Sequence, residues 1–397
     1  KYAEQGGNMY KRILMMIWAS LFVLASLSSV TAQRVTPTPR PRPQPINLHA
    51  GAVYVLTNQP ENAVAVFRRS TDGHLTAAGQ FSTGGAGDPV AIPPDPPVDP
   101  LASQGALVFG PGNQFLFAVN AASNEISVFS VGRSSLHLVD VVDSGGVRPI
   151  SLTSYGNLLY VLNEGGTPNI TGFTVGADGT LTPLAGSTRP LIGGTGADPA
   201  QVSFNSDGTL LVVTEKLGNR LDSYVVDQNG LPSAPIGNAS SGMTPFGFSF
   251  NNNDFLIVSE AFALMPGQSA ASSYSSDQTG ALSVVTGSVH NNQTASCWVV
   301  IPNNGLRAIV SNTASGTIST YNVDGDGMLS LANAVAANLG MNSAPRDMAL
   351  SVNGQLLFVQ TDGGQSVTVF RIENNGALTL IDTVGGLPFG AQGIAAR

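Results

Sequence analysis

One short apolar run recurs seven times in this chain, and the recurrence limits the fold more than any other feature of the sequence. The copies "VYVLT", "LFAVN", "LYVLN", "LVVTE", "LIVSE", "AIVSN" and "LLFVQT" end at Thr57, Asn120, Asn163, Glu215, Glu260, Asn312 and Thr361, 43 to 63 residues apart. Each is followed by a strand-like segment with an aromatic near its end: Phe67, Phe129, Phe173, Tyr224, Tyr274, Tyr321 and Phe370. A tight turn and a leucine come next. Asp72-Gly73, Asp178-Gly179, Asn229-Gly230, Asp326-Gly327 and Asn375-Gly376 supply the positive φ angles that two-residue hairpins demand, while the second copy uses Ser134-Ser135. Ahead of every copy but the first lies one more strand and turn, as in "QVSFNSDGTLLV" from Gln201. The unit is four short antiparallel strands. The run itself is apolar on both faces and so belongs between sheets.

Seven such sheets packed around an axis make an all-β, seven-bladed propeller; a stacked solenoid has shorter periods. The propeller is expected to span 49–397. Copy one has no inner strand before Val53, and the last stretch, "PFGAQGIAAR", matches the start of an inner strand such as "PRDMALS". Residues 391–397 are therefore expected to supply the inner strand of blade one and close the ring, removing open sheet edges. The stretch "GDPVAIPPDPPVDPLAS" (87–103) holds two Pro-Pro pairs and cannot be a ladder strand. It reads as a surface loop, a rim decoration in preference to a lid.

From Met9 the chain reads "MYKRILMMIWASLFVLASLSSVTAQ", with a basic start at Lys11 and Arg12, an apolar stretch, and small residues at Val30-Thr31-Ala32. This is the pattern of a secretory signal cut after Ala32, and residues 1–32 are set apart from the fold. A membrane anchor is the alternative. "TPTPRPRPQP" (36–45) lies in a proline-rich linker, 33–48, expected to be extended. Loss of Lys1, Lys11, Arg12 and Glu4 with the signal takes the net charge from −8 to −10, which argues against nucleic acid and anionic membrane as partners. The single cysteine, Cys297, excludes an internal disulfide, and its neighbours Trp298-Val299-Val300 place it in a packed strand.

In a propeller, inner-strand entries and second-strand ends face the channel mouth. The positions to weigh are Asn120, Asn163, Glu164, Glu215, Lys216, Glu260, Asn312, Arg346 and Asp347. Glu215 and Glu260 hold equivalent places in adjacent blades. Two carboxylates on one cavity can split their pKa values and share acid and base roles; the plainer alternative is that they accept hydrogen bonds from loop amides. Arg346 can clamp a ligand carboxylate or phosphate, or simply pair with Asp347 or hold a loop. None of His49, His74, His137 and His290 falls on a mouth position, so neither a histidine metal site nor a serine triad is expected, and no cofactor is implied. "DGDG" (324–327) resembles the start of a calcium loop but lacks its later acidic ligand and falls on a repeated hairpin turn. "IGGTGADP" (192–199) leads into a strand and not a helix, so it is no phosphate loop.

With the repeats placed, the chain resembles the lactonase-type seven-bladed propellers, which include bacterial 6-phosphogluconolactonase and the fungal carboxymuconate-lactonizing enzyme. The resemblance covers roughly 50–397 and is best in "APRDMALSVNGQLLFVQTDGGQSVTVFRIENNGAL" (344–378). Arg346 matches the family's Pro-Arg arginine, and Glu260 in "VSEAF" matches the glutamate of its "VNEL"-like segment. Where the family often carries histidine, this chain has Gln201, Phe246-Gly247 and Asp347. The resemblance implies a lactone hydrolase in which a carboxylate, Glu260, activates water and Arg346 binds an anionic small-molecule substrate. Joined to the mouth positions, the reading is an exported enzyme acting on a small acid or sugar lactone at the central channel mouth, with Glu215 beside Glu260 and with Asp347, Lys216, Asn163 and Asn312 as further contacts. Two other readings stay open. One is a non-catalytic exported propeller that binds a ligand, glycan, envelope or extracellular protein. The other is a structural surface protein.

Overall fold

The computed structural model describes residues 50–89 and 99–397. The expected signal segment 1–32, the linker 33–48, His49 and the centre of the proline-rich stretch, 90–98, lie outside the described residues.

Seven antiparallel sheets are present, each with an inner, second, third and outer strand; the four follow chain order except in blade 1, whose inner strand comes last, and in blade 3 the outer position is shared by Leu181–Pro183 and Arg189–Pro190. Blade 4 runs Pro199–Phe204, Leu210–Glu215, Arg220–Val225 and Ile236–Ala239; blade 5 runs Pro245–Phe250, Leu256–Glu260, Ala270–Ser276 and Leu282–His290. The inner strands of all seven blades touch one another in sequence, and the last touches the first, so the ring is closed. As expected, Ile394–Ala396 is the inner strand of blade 1, paired with Gly51–Leu56 through Val53–Ala396, Tyr54–Ala395 and Val55–Ile394.

The repeat pattern explains the packing. Second strands such as Leu356–Thr361 are buried along their whole length, because both faces meet neighbouring blades. The seven aromatics are all buried, each opposite an apolar residue of the second strand: Phe67 opposite Val53, Tyr224 opposite Leu211, Phe370 opposite Leu357. Six of the seven turn leucines lie at the start of an outer strand. Leu231 does not: Pro232 and Pro235 follow it, and blade 4's outer strand begins at Ile236.

The entry of the inner strands is irregular. The register shifts between Pro199 and Gln201, Pro245 and Phe248, Ser296 and Trp298, and Pro345 and Met348. A bulge re-aims the side chains it contains. Arg346 and Asp347 occupy the bulge of blade 7, where Phe246-Gly247 and Cys297 occupy those of blades 5 and 6.

Asp99–Gly105 is not a rim decoration. This segment is a plug set among the inner strands. Gln104 brackets Val299 of blade 6, donating to its carbonyl at 2.8 Å and accepting from its N–H at 3.0 Å. The Ser103 carbonyl accepts from Trp298 Nε1 and Gln392 Nε2 at 2.8 and 2.9 Å. Ser103 Oγ donates to the Ile150 carbonyl of blade 3, and Lys216 Nζ donates to the Ala102 carbonyl at 2.9 Å. Arg148 holds the approach to the plug through Asp88, Glu164 and the Pro100 carbonyl. The two Pro-Pro pairs (93–94 and 96–97) lie outside the described residues, and the segment after them carries polar groups that satisfy buried backbone across the channel.

Candidate active site

The residues that close the second strands bind nearby loop and strand groups. Glu260 is fully buried; its Oε1 accepts the Gly242 N–H at 2.8 Å and the Ser272 hydroxyl at 2.6 Å. Glu215 is also fully buried and accepts the Gly193 N–H at 2.9 Å, with Arg220 3.8 Å away. Asn163 donates to the Ser144 carbonyl and Asn169 Oδ1, and Asn312 binds Thr317, Ser319, Asn291 and Ser296. Asn120 occupies the same place in blade 2 and accepts from Asn62 Nδ2. Glu164 faces Arg148 instead.

This device explains a set of glycines. A Cβ on Gly85, Gly146, Gly193 or Gly242, each in the loop entering a blade, would stand 2.3 to 2.6 Å from Asn120, Asn163, Glu215 or Glu260. The side chain that ends the second strand needs that close approach to reach the loop backbone. Gly242→Ala is therefore expected to cost about 1–3 kcal/mol by overpacking against the Glu260 carboxylate, read as a lowered midpoint in urea unfolding. An unchanged midpoint would show that the latch yields without strain.

Arg346 is fully buried, and its Nη1 lies 3.3 Å from Asp362 Oδ1, itself fully buried. Asp347 has different partners. Its Oδ1 accepts the Met348 N–H at 2.9 Å, its Oδ2 lies at the limit of hydrogen bonding from the Gly105 N–H, and it lines a cavity of about 280 Å³ with Gln104, Gln201 and Ile394. Gln201, at one of the resemblance's histidine positions, brackets the Phe248 backbone of the next inner strand. Burial pushes the Asp347 carboxyl up to about 7. Burial and the neighbouring Glu215 also raise Asp222, which accepts the Ile192 N–H.

A raised carboxyl stabilises the fold fully below its unfolded value near 4, and that contribution is lost as pH rises through the folded value. For Asp347 the loss runs from pH 4 to 7 and is on the order of 4 kcal/mol. The chain is expected to melt at higher temperature at pH 5 than at pH 8, and Asp347→Asn should shrink the difference. An equal difference in the variant would exclude Asp347 as its source.

A second cavity, about 480 Å³, lies beside the plug. Inner-strand entries supply Phe246, Ala295, Cys297, Trp298 and Ala344; second-strand ends supply Lys216, Ala261 and Thr313; the plug supplies Asp99 and Ala102. Lys216 is the sequence-predicted mouth residue that reaches this cavity. Its Nζ meets Asp198 Oδ1 at 3.2 Å and lies 5.2 Å from the centre of the Phe246 ring. Phe246 and Trp298 pack at 5.1 Å with their planes tilted by 57°. Asp99 accepts the Ala102 N–H at 2.8 Å; burial raises its pKa against the opposing pull of Arg346 and Lys216. Burial also raises the Cys297 thiol, holding it neutral.

Glu215, Glu260, Asn163, Asn312 and Arg346 line neither of these two cavities. Among the described residues, no group of three or more His, Cys, Asp or Glu side chains is arranged to hold a metal ion. Asp99 was not singled out from the sequence. It stands one residue before Pro100 in a stretch whose composition reads as surface loop, and only the later Trp298 and Gln392 contacts draw the segment inward.

Comparison with known proteins adds the lineage. The family model described as Lactonase, 7-bladed beta-propeller, matches residues 108–263 and 277–389. The 6-phosphogluconolactonase of Yersinia pestis (strain Pestoides F) is 26% identical over 180 residues, 43% of this chain and 48% of its own length. The chain thus matches about half the length of that relative. A candidate 6-phosphogluconolactonase from Bacteroides uniformis ATCC 8492 superposes with TM-score 0.64 at 20% identity, covering 86% of this chain and 98% of its own. The periplasmic gluconolactonase of Pseudomonas aeruginosa superposes with TM-score 0.63 at 17% identity over the same shares. At these identities the structural likenesses speak for the fold alone.

Proposed function

The chain belongs to the lactonase family of seven-bladed β-propellers, and on that premise we propose that it hydrolyses a lactone in the cavity beside the plug. The observation that carries this is Asp99: a carboxyl raised by burial, on the wall of a cavity whose cation is Lys216. A raised pKa makes a carboxylate a better proton acceptor near neutrality. Asp99 takes a proton from water as the water oxygen bonds to the lactone carbonyl carbon. The Lys216 ammonium donates to the oxygen that becomes negative. The ring C–O bond then breaks, and the Asp99 proton passes to the departing alkoxide, giving a hydroxy acid and restoring the carboxylate.

On this reading Glu260 and Glu215 hold loops, and Arg346 keeps the plug's acidic surroundings balanced through Asp362 and Asp99. Export is part of the proposal. It is supported by the signal-like segment from Met9 and by the periplasmic placement in the name of the Pseudomonas relative. The test is acid release from a panel of lactones, followed by pH-stat titration, with wild type and Asp99→Asn.

A second reading is favoured by the plug. Asp99–Gly105 occupies the channel itself, as suits a non-catalytic propeller that binds a ligand at its mouth. Saturable ligand binding with no acid release from any lactone would select it.

A further inference from the structure

We infer that the cavity beside the plug takes an uncharged, largely apolar lactone, one with a hydrocarbon or aromatic body, and not a phosphorylated sugar lactone. The inference rests on the proposed lactone chemistry for its reacting group, but its argument comes from the walls. Phe246 and Trp298 form an aromatic face that Ala295, Cys297 and Ala344 continue, while the hydroxyls of the lining Thr244 and Thr313 are engaged by the Ala263 N–H and the Pro345 carbonyl. Lys216 already meets the Ala102 carbonyl, Asp198 and the Phe246 ring, and two carboxylates, Asp99 and Asp198, share the cavity with it. A phosphate dianion would enter a site whose carboxylates outnumber its cations, and no guanidinium lines it among the described residues. The buried Arg346 is turned to Asp362.

A strained turn points the same way. Phe262, Ala263 and Leu264 all lie in the left-handed region, with φ of 49°, 50° and 62°. Non-glycine residues pay about 1–2 kcal/mol each for that conformation. The turn is held by the Ala263 N–H on Thr244 Oγ1 at 3.0 Å. Its product is Leu264, which lines the cavity while remaining 60% exposed. Strain that keeps a leucine in water at the rim of an apolar cavity is expected where the leucine meets a ligand.

Dihydrocoumarin, an uncharged aromatic lactone, and 6-phosphoglucono-δ-lactone are the probes, read by Trp298 fluorescence and by acid release. Trp298→Phe identifies the signal, since the other tryptophan is Trp18. Leu264→Gly removes the apolar rim and suits the positive φ, so it is expected to fold and to melt no lower than wild type. The expected result is at least 10-fold tighter binding of dihydrocoumarin than of the phosphorylated lactone, weakened about 5-fold or more in Leu264→Gly. Binding of dihydrocoumarin without hydrolysis upholds the apolar site and overturns the catalytic reading. Preferred binding or turnover of the phosphorylated lactone overturns the apolar site and leaves the catalytic reading standing. Binding of neither overturns the apolar site, as does full affinity in Leu264→Gly.

Discussion

Ending the chain after Pro388 is expected to lower the melting temperature by on the order of 10 °C or to prevent folding altogether. The deleted residues supply the whole inner strand of blade 1. Beyond the ladder that pairs Ile394–Ala396 with Val53–Val55, four flanking backbone hydrogen bonds go with them: Ala52 N to Arg397 O, Arg397 N to Ala52 O, Leu56 N to Gly393 O and Gln392 N to Leu56 O, all between 2.9 and 3.0 Å. Each is worth about 1 kcal/mol net, and burial of Ile394 adds about 2 kcal/mol. The inner strands of blades 2 and 7 lose the neighbour that joins them, and Gly51–Leu56 becomes an open edge. The sum is comparable to the whole stability of an ordinary domain.

The same deletion removes Gln392, which is fully buried and grips the plug by donating to Ser103 O and accepting from Leu101 N. Gln392→Ala separates the two causes: it frees the plug and leaves the ring closed. A small effect in Gln392→Ala beside a large one in the truncation assigns the loss to ring closure. An unchanged melting temperature in the truncated chain would remove the closing strand from the stability of the fold.

The closing strand was legible because propeller repeats leave a gap at one end of the sequence and a surplus at the other. The blades were legible for a related reason: Asp-Gly and Asn-Gly turns, buried aromatics and two-faced apolar runs are local signals that the fold repeats seven times. That Glu215 and Glu260 accept from loop amides was one of the two readings open in the sequence, but which loop each one reaches was not legible. Both end a run, as expected of mouth residues, but the backbone they serve lies in a loop 22 and 18 residues upstream, at Gly193 and Gly242. In blades 2 and 3 the corresponding glycines, Gly85 and Gly146, stand 35 and 17 residues before Asn120 and Asn163. So variable a spacing hides the pairing from any periodic search. The plug is a still longer-range matter, since Gln104 and Val299 are 195 residues apart. The bulges at the inner-strand entries decide which of two adjacent side chains meets the cavity, and a one-residue shift of that kind leaves no trace in composition.

Asp99→Asn is expected to lower kcat for lactone hydrolysis at least 100-fold, with KM changed by no more than a few fold. The substitution is nearly isosteric and retains a carbonyl-type oxygen for the Ala102 N–H, so the plug keeps its local turn. What it loses is the proton acceptor. The wild-type rate should climb with pH through the raised pKa of Asp99, because the carboxylate is the active form; in the variant that limb should vanish. A merely structural role for Asp99 would lower activity without flattening the profile. Lys216→Met should also depress kcat, but through two routes, since the ammonium holds the Ala102 carbonyl as well as facing the cavity. It therefore tests the cavity less cleanly than Asp99. Glu260→Gln is the necessary contrast. Its amide oxygen can still accept from Gly242 and Ser272, so activity should stay within a few fold of wild type if the glutamate only latches its loop. Full activity in Asp99→Asn together with loss in Glu260→Gln would return the water-activating role to the end of blade 5's second strand.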